Sequence, residues 1–130
     1  MPLELSHDEL LALVAEAPFV FEPGSNWGYS NTGYYLLGMV IERITGRSYA
    51  EAVQAELCVP LGLARTRYDS SRERIKNRAQ GYALDGERLV NDQILGMSQP
   101  GAAGGILSTA GDLVRWQMAL SSGKVVSSES

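Results

Sequence analysis

The chain has 130 residues, 45% of them apolar, which suits one domain or one lobe of a larger protein. Its formal charge of −4 gives no electrostatic reason to bind nucleic acid or an anionic membrane. No run approaches the roughly 20 apolar residues of a membrane span, no charged-then-apolar leader opens the chain, and a single Cys58 and a single His7 exclude an internal disulfide and argue against a zinc site.

Met1-Pro2-Leu3-Glu4 leads into Ser6-His7-Asp8-Glu9, a capping box with Ser6 as N-cap. Leu10, Leu11, Leu13 and Val14 then predict an amphipathic helix ending near Ala17-Pro18. Phe19-Val20-Phe21 reads as a short extended piece, and Pro23-Gly24 as a turn. A second helix is expected from Asn31 or Thr32 to Thr45, stopped by Gly46. Its apolar positions run nearly all the way round, the mark of a buried helix, and Gly33 and Gly38 suggest close packing against a neighbour. Ser48 caps a third helix to about Cys58, with Tyr49, Val53 and Leu57 as its inner stripe and Pro60-Leu61-Gly62-Leu63 as its stop.

Residues 64–77 carry Arg65, Arg67, Arg72, Glu73, Arg74 and Lys76 and read as a solvated loop with at most one helical turn, rather than an anion site. Tyr82 to Leu84 and Arg88 to Val90 flank Asp85-Gly86, a hairpin pattern with a type I′ turn. Gly96 to Gly105 is a loop of glycine and small residues. Ser108 or Thr109 caps a last helix to about Leu120, with Leu113, Trp116 and Leu120 inward, and Ser122-Gly123 stops it. Helices dominate, and one hairpin makes no central sheet. The fold class expected is mainly α with a minor β-hairpin, in one unit over residues 1–130.

The densest polar chemistry lies at Tyr29-Ser30-Asn31, where a turn becomes a helix. In an extended segment residues i and i+2 share a face, so Tyr29 and Asn31 point together and Ser30 points away. A carboxamide both donates and accepts hydrogen bonds. A phenol can shuttle a proton when a nearby cation lowers its pKa from about 10. The plainer readings are a packed tyrosine and a helix cap at Asn31 or Ser30. Ser30 makes a poor nucleophile: Gly28-x-Ser30-x-x-Gly33 misses the Gly-x-Ser-x-Gly elbow by one place, and His7 belongs to a surface cap.

Pro23-Gly24-x-x-Trp27-x-Tyr29-Ser30-Asn31-x-Gly33-Tyr34-x-Leu36-Leu37-Gly38, with Ile41-Glu42 and Thr45-Gly46, resembles the serine β-lactamase-like family of class C β-lactamases, DD-peptidases and family VIII esterases. Pro60-Leu61-Gly62-Leu63-x-x-Thr66 and Ala103-Gly104-Gly105-x-Leu107-Ser108-Thr109-Ala110-x-Asp112-Leu113-x-x-Trp116 continue the likeness in the family's order, across roughly residues 5 to 130. The resemblance implies the helical lobe of the β-lactamase/transpeptidase-like fold, lacking most of the α/β sheet domain. It implies catalytic roles for Tyr29 in proton transfer and Asn31 in holding the lysine and substrate amide. It makes Gly104 and Gly105 candidates for the substrate-binding rim, although close packing alone would also explain them. It implies no metal and no organic cofactor. The implied substrate is a β-lactam, a D-Ala-D-Ala-type peptide or a short ester. Family members are often periplasmic or secreted, and nothing in the sequence fixes the compartment.

The sequence also departs from the family. No Ser-x-x-Lys precedes Tyr29, and no Lys/His-Thr/Ser-Gly follows the last helix. Ser121-Ser122-Gly123-Lys124 matches the first motif in letters but lies at a helix end with glycine inside it. The chain therefore reads as the middle of a larger acyl-hydrolase, inactive alone and prone to self-association through a bare apolar face. The alternatives are a non-catalytic module holding a peptide or glycopeptide, and a purely structural fragment.

Overall fold

In the computed structural model, residues 6–92, 96–97, 99–127 and 129–130 are described; Met1 to Glu4 and Ser98 of the expected loop lie outside them. Helix α1, His7–Ala15, begins as expected: Glu9 N donates to Ser6 Oγ at 3.3 Å and Ser6 N donates to Glu9 Oε2 at 2.8 Å. Leu10, Leu11 and Val14 are half-buried, while Leu13 is exposed. Phe19-Val20-Phe21 forms no strand; Phe19 and Val20 are exposed, and Phe21 lies under Gly28, where a Cβ would stand 3.2 Å from its ring. The turn closes with Ser25 N donating to Glu22 O at 3.0 Å and Gly24 at φ +81°.

Helix α2, Asn31–Thr45, has Ser30 as N-cap and Gly46, at φ +66°, as the left-handed stop. The expectation of a helix buried all round is corrected: only Tyr35 and Gly38 are buried, and Leu37 and Ile44 are 57% and 79% exposed. The described residues cover one stripe of α2, because its neighbours all pack on the Tyr35–Gly38 side. Gly38 is needed there, since a Cβ would stand 2.5 Å from Ala102 Cβ. Gly33 is not, as a Cβ would meet only Ser30 at 3.6 Å.

Helix α3, Tyr49–Val53, opens with a second capping box between Ser48 and Glu51. The single helix expected to Cys58 instead widens into a π-helical turn, Gln54–Cys58, with Val59 N donating to Gln54 O at 3.0 Å. The wider pitch rotates the inner face. Ala52 and Cys58 are buried, and the predicted stripe of Tyr49, Val53 and Leu57 is half-buried along a cavity of about 210 Å³ shared with Trp116.

Residues 67–68 were expected in a loop but form a strand, β1 (Arg67–Tyr68). Beyond it the chain bends without a helical turn, tied by Arg78 to Asp69 at 2.7 Å and by an Arg67–Glu73 ion pair. Strands β2 (Tyr82–Asp85) and β3 (Arg88–Asn91) form the expected hairpin, with Asp85 opposite Arg88. The loop residues are thus Gly86-Glu87, one place later than expected. Of these only Gly86 has positive φ, which fits type II′ rather than type I′. After a 3₁₀ turn, Gly101–Ala103, a second unexpected strand, β4 (Ile106–Leu107), pairs antiparallel with β1. Both strands are two residues long, too short for an alternating pattern to register.

Helix α4, Ala110–Ser121, is capped by Thr109, which accepts from Asp112 N at 3.3 Å. Leu113 and Leu120 are exposed rather than inward; Asp112 and Ala119 are buried and Trp116 is half-buried. The helix is turned this way because Asp112, 1% exposed, accepts from Arg65 N at 2.7 Å, Thr66 Oγ1 at 3.0 Å and Arg115 at 2.8 Å. Thr66 Oγ1 also lies 2.8 Å from Ser108 Oγ, so one carboxylate locks β1, β4 and α4 together. The described residues thus make four α-helices and two small antiparallel ribbons around Tyr35, Ala52, Cys58, Leu63 and Ala119.

Candidate active site

The backbone arrives at α2 extended, with Ser30 at φ −139° and ψ 113°. Alternation then sets the side chains. Ser30 Oγ turns back to accept from Gly33 N at 3.1 Å, while Tyr29 and Asn31 share the other face. Tyr29 Oη donates to Asn31 Oδ1 at 3.0 Å. Ser30 is therefore the N-cap, and Asn31, the first residue of α2, keeps its carboxamide for the corner. The Tyr34 ring lies against that of Tyr29, centroids 5.5 Å apart and planes tilted by 38°, and limits where the phenol can swing.

The corner is open: Tyr29 is 65% exposed and Trp27 beside it 83%. With Oδ1 engaged by the phenol, both Asn31 N–H bonds are, among the described residues, left to donate. The arrangement presents a phenol oxygen and an amide donor together, which suits contact with a carbonyl or amide.

Gly104 and Gly105 follow the 3₁₀ turn. Gly104 is exposed and extended, and Gly105 is buried with its N donating to Gly101 O at 3.2 Å. A side chain on Gly105 would collide with the Tyr68 ring. Among the described residues no hydrogen bond joins these glycines to Tyr29 or Asn31. They connect through α2, where Gly38 meets Ala102 and the Tyr35 ring presses on Gly101.

His7 Nδ1 lies 3.5 Å from Glu42 Oε2 and its ring stands edge-on to Tyr35, so it forms no pair with Ser30. Ser121 Oγ accepts from Gln117 Nε2 at 3.1 Å, and Gly123, at φ +72°, turns the chain before Lys124; no hydrogen bond joins Ser121 to that lysine. Sequence reasoning missed Glu42, which accepts from Tyr49 N at 2.7 Å and joins α2 to α3. Its position four residues before the Gly46 stop was the available signal. Among the described residues no three His, Cys, Asp or Glu side chains gather as a metal site, and no helix is long and apolar enough to cross a membrane.

The beta-lactamase family model matches residues 2–130. The serine beta-lactamase-like protein LACTB, mitochondrial, of Mus musculus is 36% identical over 113 residues, covering 86% of this chain and 20% of that protein. A D-stereospecific amidohydrolase from Streptomyces sp. superposes with a TM-score of 0.84 at 31% identity, over 97% of this chain and 38% of its own. An octameric penicillin-binding protein homologue from Pyrococcus abyssi does so with a TM-score of 0.75 at 34% identity, over 94% of this chain and 28% of its own. This chain thus spans less than half the length of each.

Proposed function

The chain belongs to the beta-lactamase family, and on that premise we propose that its 130 residues form, as a single unit, the Tyr-x-Asn wall of a serine acyl-hydrolase. The observation that carries this reading is the Tyr29–Asn31 hydrogen bond of 3.0 Å on an exposed corner, with Ser30 turned away to cap the helix. In the proposed mechanism a serine hydroxyl attacks the substrate carbonyl and forms an acyl-enzyme, which water then hydrolyses. Tyr29 relays the proton between the serine, a lysine and the leaving group. Asn31 donates from its amide to the substrate and keeps the phenol aimed. Gly104 and Gly105 form part of the rim over which the substrate lies. The candidate substrates are a β-lactam, a peptide ending in D-Ala-D-Ala, or a short ester. The similarity to a D-stereospecific amidohydrolase favours an amide bond next to a D-centre.

These residues hold one literal Ser-x-x-Lys, Ser121 to Lys124, and its serine is engaged by Gln117. We propose that the nucleophile is supplied from outside them and that the chain by itself does not turn substrate over. The test is complementation. The chain is mixed with a separately produced segment bearing Ser-x-x-Lys and Lys-Thr-Gly, and hydrolysis of a chromogenic β-lactam, a D-alanine anilide and a nitrophenyl ester is followed. Turnover is expected only in the mixture, and Tyr29→Phe is expected to lower it by about 100-fold or more. Stoichiometric acylation of the chain alone, mapped by mass spectrometry to Ser30 or Ser121, would overturn the assignment.

A further inference from the structure

A second concavity, of about 310 Å³, lies between the start of α1, the middle of α2 and the start of α3. That is at the lower end of the volumes of small-molecule sites, about 300–1,000 Å³. Tyr29 and Asn31 do not line it. Its walls include Tyr35, Tyr49, Tyr68, Met39, His7 and Glu42.

Three observations fix the kind of ligand that would suit it. Tyr35 is only 5% exposed and lines the cavity, and its hydroxyl has no hydrogen-bond partner among the described residues, so it is available to accept from a ligand. Among the described residues Glu42 is the one carboxylate in the lining, and no lysine or arginine faces it there. Its Oε1 accepts from Tyr49 N at 2.7 Å, and among the described residues its Oε2 has only the loose 3.5 Å contact with His7. Tyr68 donates to Met97 O at 2.7 Å and so offers the cavity its ring rather than its hydroxyl. The local field agrees: burial raises the pKa of Tyr35 and pushes that of Tyr68 up to about 12, and the Glu42 charge adds to both.

We propose that this cavity is a binding site for a small organic ammonium ion, held by Glu42 Oε2 and the Tyr35 hydroxyl within tyrosine walls. A carboxylate beside aromatic rings is the general solution for such cations. The ammonium replaces His7 beside Glu42 and gives the orphan Tyr35 oxygen a donor to accept from.

The probe is butylammonium, with butyrate and butanol as isosteric controls, titrated while the ring resonances of His7 and the tyrosines are followed by NMR. Saturable shifts with butylammonium are expected, with neither control reproducing them. Glu42→Gln keeps an oxygen to accept from Tyr49 N and is expected to weaken binding by about tenfold or more. Tyr35→Phe, which keeps the packing and removes the hydroxyl, is expected to weaken it severalfold, and His7→Ala to tighten it by freeing the carboxylate. Circular dichroism checks the fold of each variant, and Tyr35→Phe decides if Glu42→Gln does not fold. No saturation with butylammonium, equal shifts with butyrate or butanol, or unchanged affinity in the folded variants would each overturn the site.

Discussion

Ser30 serves the corner by leaving it. Its hydroxyl satisfies Gly33 N and fixes the start of α2, and that frees Asn31 to meet Tyr29. Ser30→Ala is expected to cost about 1 kcal/mol of stability in a urea titration, the ordinary worth of an N-cap. Asp112 is a titrating residue built into the fold. Burial opposes its charge, but hydrogen bonds from Arg65 N, Thr66 and Arg115 outweigh that and hold its pKa below the usual 3.8. A folded pKa below the unfolded one means the stabilisation is fully present above pH 3.8 and is lost as pH falls through the folded value. Thermal melts should therefore drop steeply below about pH 4, and Asp112→Asn should flatten that drop while lowering the melting temperature at neutral pH. Tyr68 works in the opposite direction. Its raised pKa gives stability that is present below pH 10 and lost as pH rises towards about 12, so Tyr68→Phe should blunt alkaline unfolding.

At the level of elements, the contact between α2 and the 3₁₀ turn admits no extra atom. Gly38→Ala gains up to about 1 kcal/mol of helix propensity but sets two Cβ atoms 2.5 Å apart, and overpacking of about 1–3 kcal/mol should win. Adding Ala102→Gly should restore most of the loss, because the colliding atom is then gone. Helix starts were legible in the sequence. Ser6, Ser30, Ser48 and Thr109 all cap as their residue types suggest, and extended-chain alternation alone put Tyr29 and Asn31 on one face. What was illegible depends on distant partners. The π turn after Val53 changes pitch within a continuous helical pattern, β1 and β4 are too short to alternate, and α4 turns Asp112 inward because Arg65 and Thr66 wait for it. Reading the Leu113 and Leu120 stripe as the inner face misses a buried carboxylate that outranks both.

At the scale of the molecule, Leu37, Val40, Ile41 and Ile44 make one bare stripe along α2. An apolar face of that kind drives association. Sedimentation of the chain at high concentration is expected to give a mass above the monomer, with Leu37→Asp returning it towards one copy. A clean monomer before substitution would contradict this. The Asp112 lock has a consequence in time as well as in energy. Arg65 and Asp112 stand 47 residues apart, whereas the capping boxes and the hairpin close over a few. Closing a long loop costs entropy before any contact rewards it, so distant pairings form late. In pulse-labelled refolding, the amides of α2 and of the β2–β3 hairpin should become protected first. Asp69 N–H, which donates to Gly105 O at 2.7 Å across the ribbon, should follow after a measurable lag. During that lag the chain has its helices and its hairpin but not yet the tie between residues 65–69 and 105–112.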